Sequence, residues 1–449
     1  CVAFASDASF YRLVPQAVAR PRDLDEVAAL FAWSQRHEVP LVFRAGGTSL
    51  SGQSITDGVL VDVSLHWRGF ALQGPVEDPA AIVSAQPGVI GGHLNLFLQA
   101  QGRKIGPDPA SIQSCMVGGI VANNASGMCC GVHQNSYHTL DSLVFMLPDG
   151  QSYDTALFVD QQRFAEEQST LCETLLNLRQ QLLANSALGE RIRRKYLQKN
   201  TTGYSLNAFL DFEDPLAIFS HLLVGSEGTL AFIAEVRLRT CAALPLRSTG
   251  LLLFGSVEEA CAALPALRQS CQALELMDQA SLCSLADAAL TPWWPDWIHL
   301  KDQNLCALLV ECQSETPEAL AAQLAALSDT CEAFALLQPV QMTQDATAQA
   351  ALWKLRKGLY PSVGAVRQQG TAVIIEDVVF PAARLAEGIC GVQDLCRTHG
   401  YTPEAGTGGI IFGHALDANI HFVLTQAFDS PEAIARYDAF MQDLVAYVL

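Results

Sequence analysis

Residues 43 to 54 read Phe43-Arg44-Ala45-Gly46-Gly47-Thr48-Ser49-Leu50-Ser51-Gly52-Gln53-Ser54. The apolar run that leads in, Pro40-Leu41-Val42-Phe43, predicts a short buried strand. Three glycines, one threonine and three serines then leave almost no side-chain bulk. Such a loop lets its backbone N–H groups close on an anion, and concave runs of N–H bind phosphate well. An ordinary tight turn after a strand has the same composition, so this loop alone leaves both readings open. The spacing is neither Gly-x-Gly-x-x-Gly nor Gly-x-x-x-x-Gly-Lys-Ser/Thr, which argues against a Rossmann or a P-loop site.

A second small-residue stretch runs from 106 to 131 and contains Gly106-Pro107-Asp108-Pro109-Ala110-Ser111 and Met116-Val117-Gly118-Gly119-Ile120-Val121-Ala122-Asn123-Asn124-Ala125-Ser126-Gly127. A third, Gly225-Ser226-Glu227-Gly228-Thr229-Leu230, lies much further on. The carboxyl-terminal half supplies Gly413-His414-Ala415-Leu416-Asp417-Ala418-Asn419-Ile420-His421. Taken in order over nearly the whole chain, these four motifs resemble the FAD-linked D-2-hydroxyacid dehydrogenases. That branch of the vanillyl-alcohol oxidase / p-cresol methylhydroxylase superfamily covers D-lactate and D-2-hydroxyglutarate dehydrogenases. The resemblance implies an α+β fold. A two-subdomain FAD-binding domain of the p-cresol methylhydroxylase type is expected at 1–244. An α+β substrate or cap domain, a ferredoxin-like sheet plus helices, is expected at 245–449. It places Arg44, Ala45, Gly46, Gly47, Thr48, Ser49 and Gln53 around the cofactor. Pro107, Asp108, Ser111, Met116, Gly119, Asn123, Ser126 and Gly127 join them from the second stretch, and Glu227, Gly228 and Ile233 from the third. Some members attach flavin through a histidine in or near the first loop; this loop has none, so non-covalent FAD is expected, with His66, His93 and His133 left open.

Composition bounds these expectations. The chain has 449 residues, half of them hydrophobic and only 16% charged, enough for two or three domains with proper cores. A net charge of −19 argues against nucleic acid and against an anionic membrane surface. No apolar run approaches the about 18 to 20 residues of a membrane span, and no secretory segment opens the chain. The 14 cysteines sit in apolar surroundings without a Cys-x-x-Cys pair. They read mostly as reduced, buried small side chains, which places the protein in the cytoplasm, free or peripheral to the inner membrane. An iron–sulfur cluster or zinc ribbon within these residues is not expected. Cys1 at the start and the uncapped apolar end Asp443–Leu449 suggest a piece of a longer polypeptide. Larger members of the resembled branch carry an iron–sulfur module after this point, and that is where a cluster is expected.

Along the chain, residues 23 to 37 predict an amphipathic helix, with Asp23 as N-cap, Glu26 three residues later, and Leu24, Val27, Leu30 and Phe31 on one face. Val59–Val63, Ala81–Gly88 and Thr229–Arg239 predict strands, and His93–Ala100 a helix stopped by Gly102. Residues 162 to 194 read as helical, with Arg191, Arg193, Arg194 and Lys195 as a solvated helix end. A boundary is expected between Ala242 and Ser248. Beyond it, strands at Leu251–Phe254, Ala307–Glu311 and Val373–Val379 alternate with helices at 258–273, 317–334 and 383–399. The aromatic cluster Trp293-Trp294-Pro295-Asp296-Trp297 reads as packing rather than ligand stacking.

The resemblance makes His414 and His421 ligands of a divalent metal, zinc or manganese, and makes Asn419 and Arg356 catalytic. Two isolated histidines are otherwise ordinary core or surface residues, and zinc normally takes at least three protein ligands. The third, a glutamate in a downstream Ala-Glu-His-Gly motif, is absent here, as is the histidine of that motif that serves as base. Glu404 has no spacing that favours it. Ala418 stands where relatives have glycine. Arg356, in Leu352-Trp353-Lys354-Leu355-Arg356-Lys357, matches the arginine that grips the substrate carboxylate; a surface helix charge is its alternative. The lysine that some D-2-hydroxyglutarate enzymes use for the distal carboxylate has no counterpart, and Glu376-Asp377 occupies that neighbourhood.

These expectations converge on oxidation of a D-2-hydroxy acid, D-2-hydroxyglutarate ahead of D-lactate, by hydride transfer to flavin N5. The electrons then pass to an iron–sulfur module, a quinone or an electron-transfer protein, not to NAD. Two rivals are an oxygen-using oxidase of glycolate or an alditol, and a non-catalytic FAD-binding electron-transfer subunit. Oligomeric state, a homo-oligomer included, is left open.

Overall fold

The computed structural model describes residues 1–449 except 76, 77, 79, 80 and 302. The chain divides into two compact units, Cys1–Ala243 and Leu244–Leu449.

In the first unit, a three-stranded parallel sheet runs in the order Ala17–Ala19, Val59–Asp62, Leu41–Arg44. A five-stranded antiparallel sheet runs in the order Phe70–Gln73, Ile82–Ala85, Phe232–Arg239, Leu140–Met146, Ser152–Asp154. The helix Leu24–His37 begins where its cap chemistry places it. The Asp23 carboxylate accepts the Glu26 N–H at 2.9 Å, and the Glu26 carboxylate reaches back to the Arg22 N–H at 2.7 Å. The polar stretch expected at 162–194 is three helices, Phe158–Glu167, Ser169–Ala184 and Ser186–Tyr196, broken at Gln168 and Asn185. Asn185 caps the third through the Leu188 N–H, a turn signal that a single polar run conceals.

The second small-residue stretch is fastened to itself. The Asp108 carboxylate accepts the N–H groups of Cys129 at 3.0 Å and Cys130 at 3.1 Å, and the Asp108 N–H donates to the Ser126 carbonyl at 2.8 Å. Gly127, at φ 138°, lies so close to the Asp108 backbone that a Cβ would collide with it. Burial pushes the Asp108 carboxyl up to about 6, against the opposing pull of Lys104 and the two N–H donors.

In the second unit, one seven-stranded antiparallel sheet runs in the order Gln341–Thr343, Leu246–Phe254, Cys306–Ser314, Ala273–Asp278, Gly408–His414, Asn419–Ala427, Thr371–Val379. All nine residues of Cys306–Ser314 are buried, so both faces of the middle of the sheet are covered; the first five are apolar, and Glu311, Gln313 and Ser314 are buried polar residues. On one face, Leu352, Leu359 and Val363 of the helix Ala346–Val366 pack with Met277, Phe412, Trp294 and Trp297. The expected helix 258–273 ends earlier, as Val257–Leu267, and residue 273 opens a strand instead. Trp297 is fully buried and its indole N–H donates to Asp287 at 2.8 Å, a packing role as the sequence suggested. The cysteines carry free thiols, and those at 115, 130, 271, 306, 312, 331 and 396 are buried. Among the described residues, no helix is long and apolar enough to cross a membrane.

Two predictions follow from this packing. Trp297→Ala should destabilise the second unit by about 3–5 kcal/mol without changing flavin content, as read from denaturant melts and flavin absorbance. A stable variant would put the tryptophan outside the core. The Asp108 carboxyl titrates near 6 when folded against an ordinary value of 3.8, so its share of stability is present below about pH 4 and is lost as pH rises through 6. Asp108→Asn should therefore gain on the wild type by up to roughly 3 kcal/mol between pH 4 and pH 7 in flavin-free melts; parallel curves would contradict the assignment.

Candidate active site

The three small-residue segments of the first unit meet. A Cβ on Gly46 would lie 2.8 Å from the Ser114 carbonyl oxygen, so the first loop can touch the second only because this residue is glycine. The second stretch joins the third through the Asn123 amide, which donates to Glu227 at 2.7 Å, and through the Glu227 N–H, which donates to the Ala122 carbonyl at 2.8 Å. Burial raises the Glu227 carboxyl, and the Asn123 bond lowers it. A cavity of ≈ 530 Å³ opens beside these segments, lined by Phe31, Leu41, Val42, Phe43, Gln53, Pro148 and Glu227 to Ala231. Its volume lies in the range of small-molecule and cofactor sites.

The expected cofactor residues take different places in this arrangement. Gln53, Glu227 and Gly228 line the cavity. Ala45 packs on the core beside Phe43, and Thr48 and Ser49 are half-buried in the first loop. Pro107, Met116 and Ser126 are buried, while Ser111 and Gly119 are exposed. The Arg44 guanidinium turns away from the loops: it donates to the Ser6 carbonyl at 2.8 Å and stacks near Phe4, and Gly47 lies against it. Ile233 sits in the core cluster with Phe145 and Val236, leaving only its backbone for a ligand. The Asp108 carboxylate is spent on its own loop, as described above. Lys199 was not singled out in the sequence, and its ammonium donates to the Gly127 carbonyl at 3.2 Å; Tyr204 belongs to the turn-rich stretch Asn200-Thr201-Thr202-Gly203-Tyr204-Ser205-Leu206-Asn207, and its hydroxyl pairs with Thr229 at 2.9 Å. Lys199, just before that stretch, and Tyr204, within it, tie it to the second and third segments. Flavin fits this cradle: backbone-rich loops that glycine lets approach one another suit a pyrophosphate, and the apolar wall of the cavity suits a ring.

The second unit assembles a polar site on one face of its sheet. Register places Glu275 opposite His414, His414 opposite Asn419, and Asn419 opposite Val379. The next row on that face is Met277, Phe412, His421 and Asp377. The side chains join into one chain. Asp377 meets His421 Nδ1, and His421 Nε2 lies 3.2 Å from His414 Nε2. His414 Nδ1 lies 2.7 Å from Glu275 Oε1, and Glu275 Oε2 lies 2.7 Å from Arg356. The Arg356 guanidinium lies over the Phe412 ring at 4.5 Å. Asp377 is the exposed end of this chain, and Glu275 and Arg356 are its buried end.

Arg356 is thus no surface charge. With Leu352, Leu359 and Val363 it forms the buried stripe of its helix, a spacing that the sequence displays. Two predicted site residues carry buried polar atoms with no hydrogen-bond partner, Arg356 Nε and Asn419 Oδ1. Such orphans call for a physical explanation, and a bound ligand is one of the explanations they admit. Glu275 was hidden by the helix expected up to 273, although a carboxylate inside Leu274-Glu275-Leu276-Met277 is itself a signal of buried polar chemistry. Ala418 adopts the left-handed conformation at φ 51°, a place that favours glycine.

The carboxylates on the two Nδ1 atoms turn both Nε2 atoms toward each other at a spacing close to the roughly 3.3 Å between two nitrogens on one tetrahedral zinc. Yet among the described residues no group of three His, Cys, Asp or Glu could hold a metal ion. Two imidazoles alone do not make a resident metal site.

Comparison with known proteins agrees with this anatomy. The family model described as "FAD binding domain" matches residues 15–156, and "FAD linked oxidases, C-terminal domain" matches 245–449. The glycolate oxidase subunit GlcD of Bacillus subtilis (strain 168) is 24% identical over 95% of this chain and 77% of that subunit. A D-2-hydroxyglutarate dehydrogenase of Escherichia coli (strain K12) is 31% identical over 52% of this chain and 23% of that protein. The chain spans less than half the length of the D-2-hydroxyglutarate dehydrogenases it matches. Among solved structures, p-cresol methylhydroxylase superposes with a TM-score of 0.64 at 12% identity, covering 99% of this chain and 82% of that one, a likeness of fold. With an FAD binding domain followed by the C-terminal domain of FAD linked oxidases, the chain belongs to the FAD-linked oxidases, and the relatives it matches are named D-2-hydroxyglutarate dehydrogenase and glycolate oxidase subunit.

Proposed function

We propose that this chain oxidises a 2-hydroxy acid to the 2-oxo acid, with a D-2-hydroxy acid as substrate. The observation that carries the proposal is that Arg356, against Glu275, and Asn419, across from His414, are both buried and each hold a polar atom without a partner among the described residues. The substrate carboxylate would lie on the Arg356 guanidinium, which keeps donors to spare after its contact with Glu275. The Nε2 edge of the histidine pair accepts the hydroxyl proton or its hydrogen bond, because the carboxylates hold both Nδ1 atoms as donors. Asn419 would orient the hydroxyl. FAD, held non-covalently by the first unit, would supply the acceptor for the two electrons and the C2 hydrogen that leave as hydride. The proton goes to the imidazole edge or to a base outside these residues.

A divalent ion would need a third donor beyond His414 and His421, so no step is assigned to one. The electron acceptor is proposed as an iron–sulfur module, a quinone or an electron-transfer protein.

The leading substrate is a D-acid, and achiral glycolate is the second reading. D-2-Hydroxyglutarate is favoured by the relatives that bear that name. Glycolate, with peroxide as product, is favoured by the likeness to a glycolate oxidase subunit over almost the whole chain and by the acidic pair Glu376-Asp377, which offers no cation for a distal carboxylate.

An anaerobic screen of D- and L-2-hydroxy acids, watching the flavin absorbance, tests the proposal. Bleaching by a D-acid is expected; a flavin that no 2-hydroxy acid reduces would leave an electron-transfer subunit. Steady peroxide release with glycolate in air would select the oxidase. Arg356→Lys keeps the buried charge but loses the fork, so KM should rise about 10- to 100-fold, as for the loss of a charged hydrogen bond, with flavin content unchanged. An unaltered KM would remove Arg356 from the site.

A further inference from the structure

We infer that Glu275 is the positioning residue of this site: one buried carboxylate sets the tautomer of His414 and the pose of Arg356 together. The inference rests on the reading of His414 and Arg356 as substrate-facing. Glu275 is fully buried on the strand Ala273–Asp278, directly across from His414. Its two oxygens are divided, Oε1 at 2.7 Å from His414 Nδ1 and Oε2 at 2.7 Å from Arg356. An ionised carboxylate only accepts, so His414 Nδ1 must carry the proton, which leaves its Nε2 lone pair facing His421 and the substrate side. The same carboxylate holds one nitrogen of the guanidinium, whose plane lies over Phe412, while the buried Nε has no hydrogen-bond partner among the described residues. Asp377 meets His421 at the other, exposed end of the pair.

The isosteric variant separates this role from simple packing. Glutamine offers one acceptor, and Arg356, which never loses its proton, claims it. The amide NH₂ then faces His414 Nδ1, which must become the acceptor, and the imidazole proton moves to Nε2. Glu275→Gln should therefore invert the His414 tautomer while the protein stays folded and flavin-loaded. Glu275→Asp keeps two acceptors and should keep the tautomer. The readout is ¹⁵N NMR of histidine-labelled, flavin-loaded protein in chelator-treated buffer, with His414→Gln assigning the signal. Anaerobic flavin reduction by the best acid of the screen is measured beside it.

The expected result is an Nδ1–H His414 in the wild type and in Glu275→Asp and an Nε2–H His414 in Glu275→Gln. With it comes a fall in reduction rate of about 10- to 100-fold, the usual cost of losing a partner that orients a site histidine. The double variant Glu275→Gln/His414→Gln should lose no more than His414→Gln alone, because the glutamine oxygen still holds Arg356 and the change therefore acts through the one imidazole. An Nδ1–H His414 that persists in Glu275→Gln, or additive losses in the double variant, would overturn the inference. A wild-type flavin that no acid reduces, together with the tautomer switch, would instead overturn the proposed reaction and leave the role of Glu275 in place.

Discussion

A carboxylate with no exposure to water stands between an arginine and a histidine, and the chemistry of the second unit depends on that arrangement. Leaving Glu275 charged inside a sheet would be costly without partners. Arg356 supplies the countercharge and His414 an N–H, so the charge is retained where it fixes two other groups. Removing one member of such a buried pair typically costs about 3–5 kcal/mol, which links the stability of the unit to the integrity of the site. Packing supports the same end: Phe412 carries the guanidinium plane, and the stripe of Leu352, Leu359 and Val363 seats the helix that brings Arg356 onto the sheet.

The first unit solves a different problem by different means. A dinucleotide needs many donors at short range and an apolar slot, and small residues supply both. Gly46 lets one loop touch another, Gly127 lets the second loop fold on itself around Asp108, and Asn123 and Glu227 join the second segment to the third. Side-chain cations are few in this cradle. Arg44 turns to Ser6 and Phe4, and Lys199 is spent on a carbonyl of the second loop. Backbone donors therefore carry most of what a pyrophosphate would require.

Local chemistry was legible in the residues, and long-range partnership was not. Asp23 and Glu26 announced the helix Leu24–His37 through cap chemistry alone. The glycine-rich loops and the His414 to His421 spacing pointed to a cofactor cradle and a polar cluster before any fold was known. Glu275 escaped because the Ala-rich run before it kept a helical pattern past Leu267, and no local feature marks where a strand resumes. The pairing of Asp377 with His421, 44 positions apart, is set by sheet register, which no window of sequence contains. Arg356 lay between: its helical spacing with buried leucines was visible, but its partner was not. The inward turn of Ile233 and the self-bonding of Asp108 are likewise products of packing, which makes a motif match a guide to the neighbourhood of a ligand rather than to its contacts.

The most direct measurement is a crystal structure of the flavin-loaded protein soaked with oxalate, an unreactive mimic of a 2-hydroxy acid. The account predicts one carboxylate of oxalate forked onto the free edge of Arg356, with the other at the Nε2 edge of His414 and His421. Oxalate bound elsewhere, with Arg356 Nε still unpartnered, would contradict it.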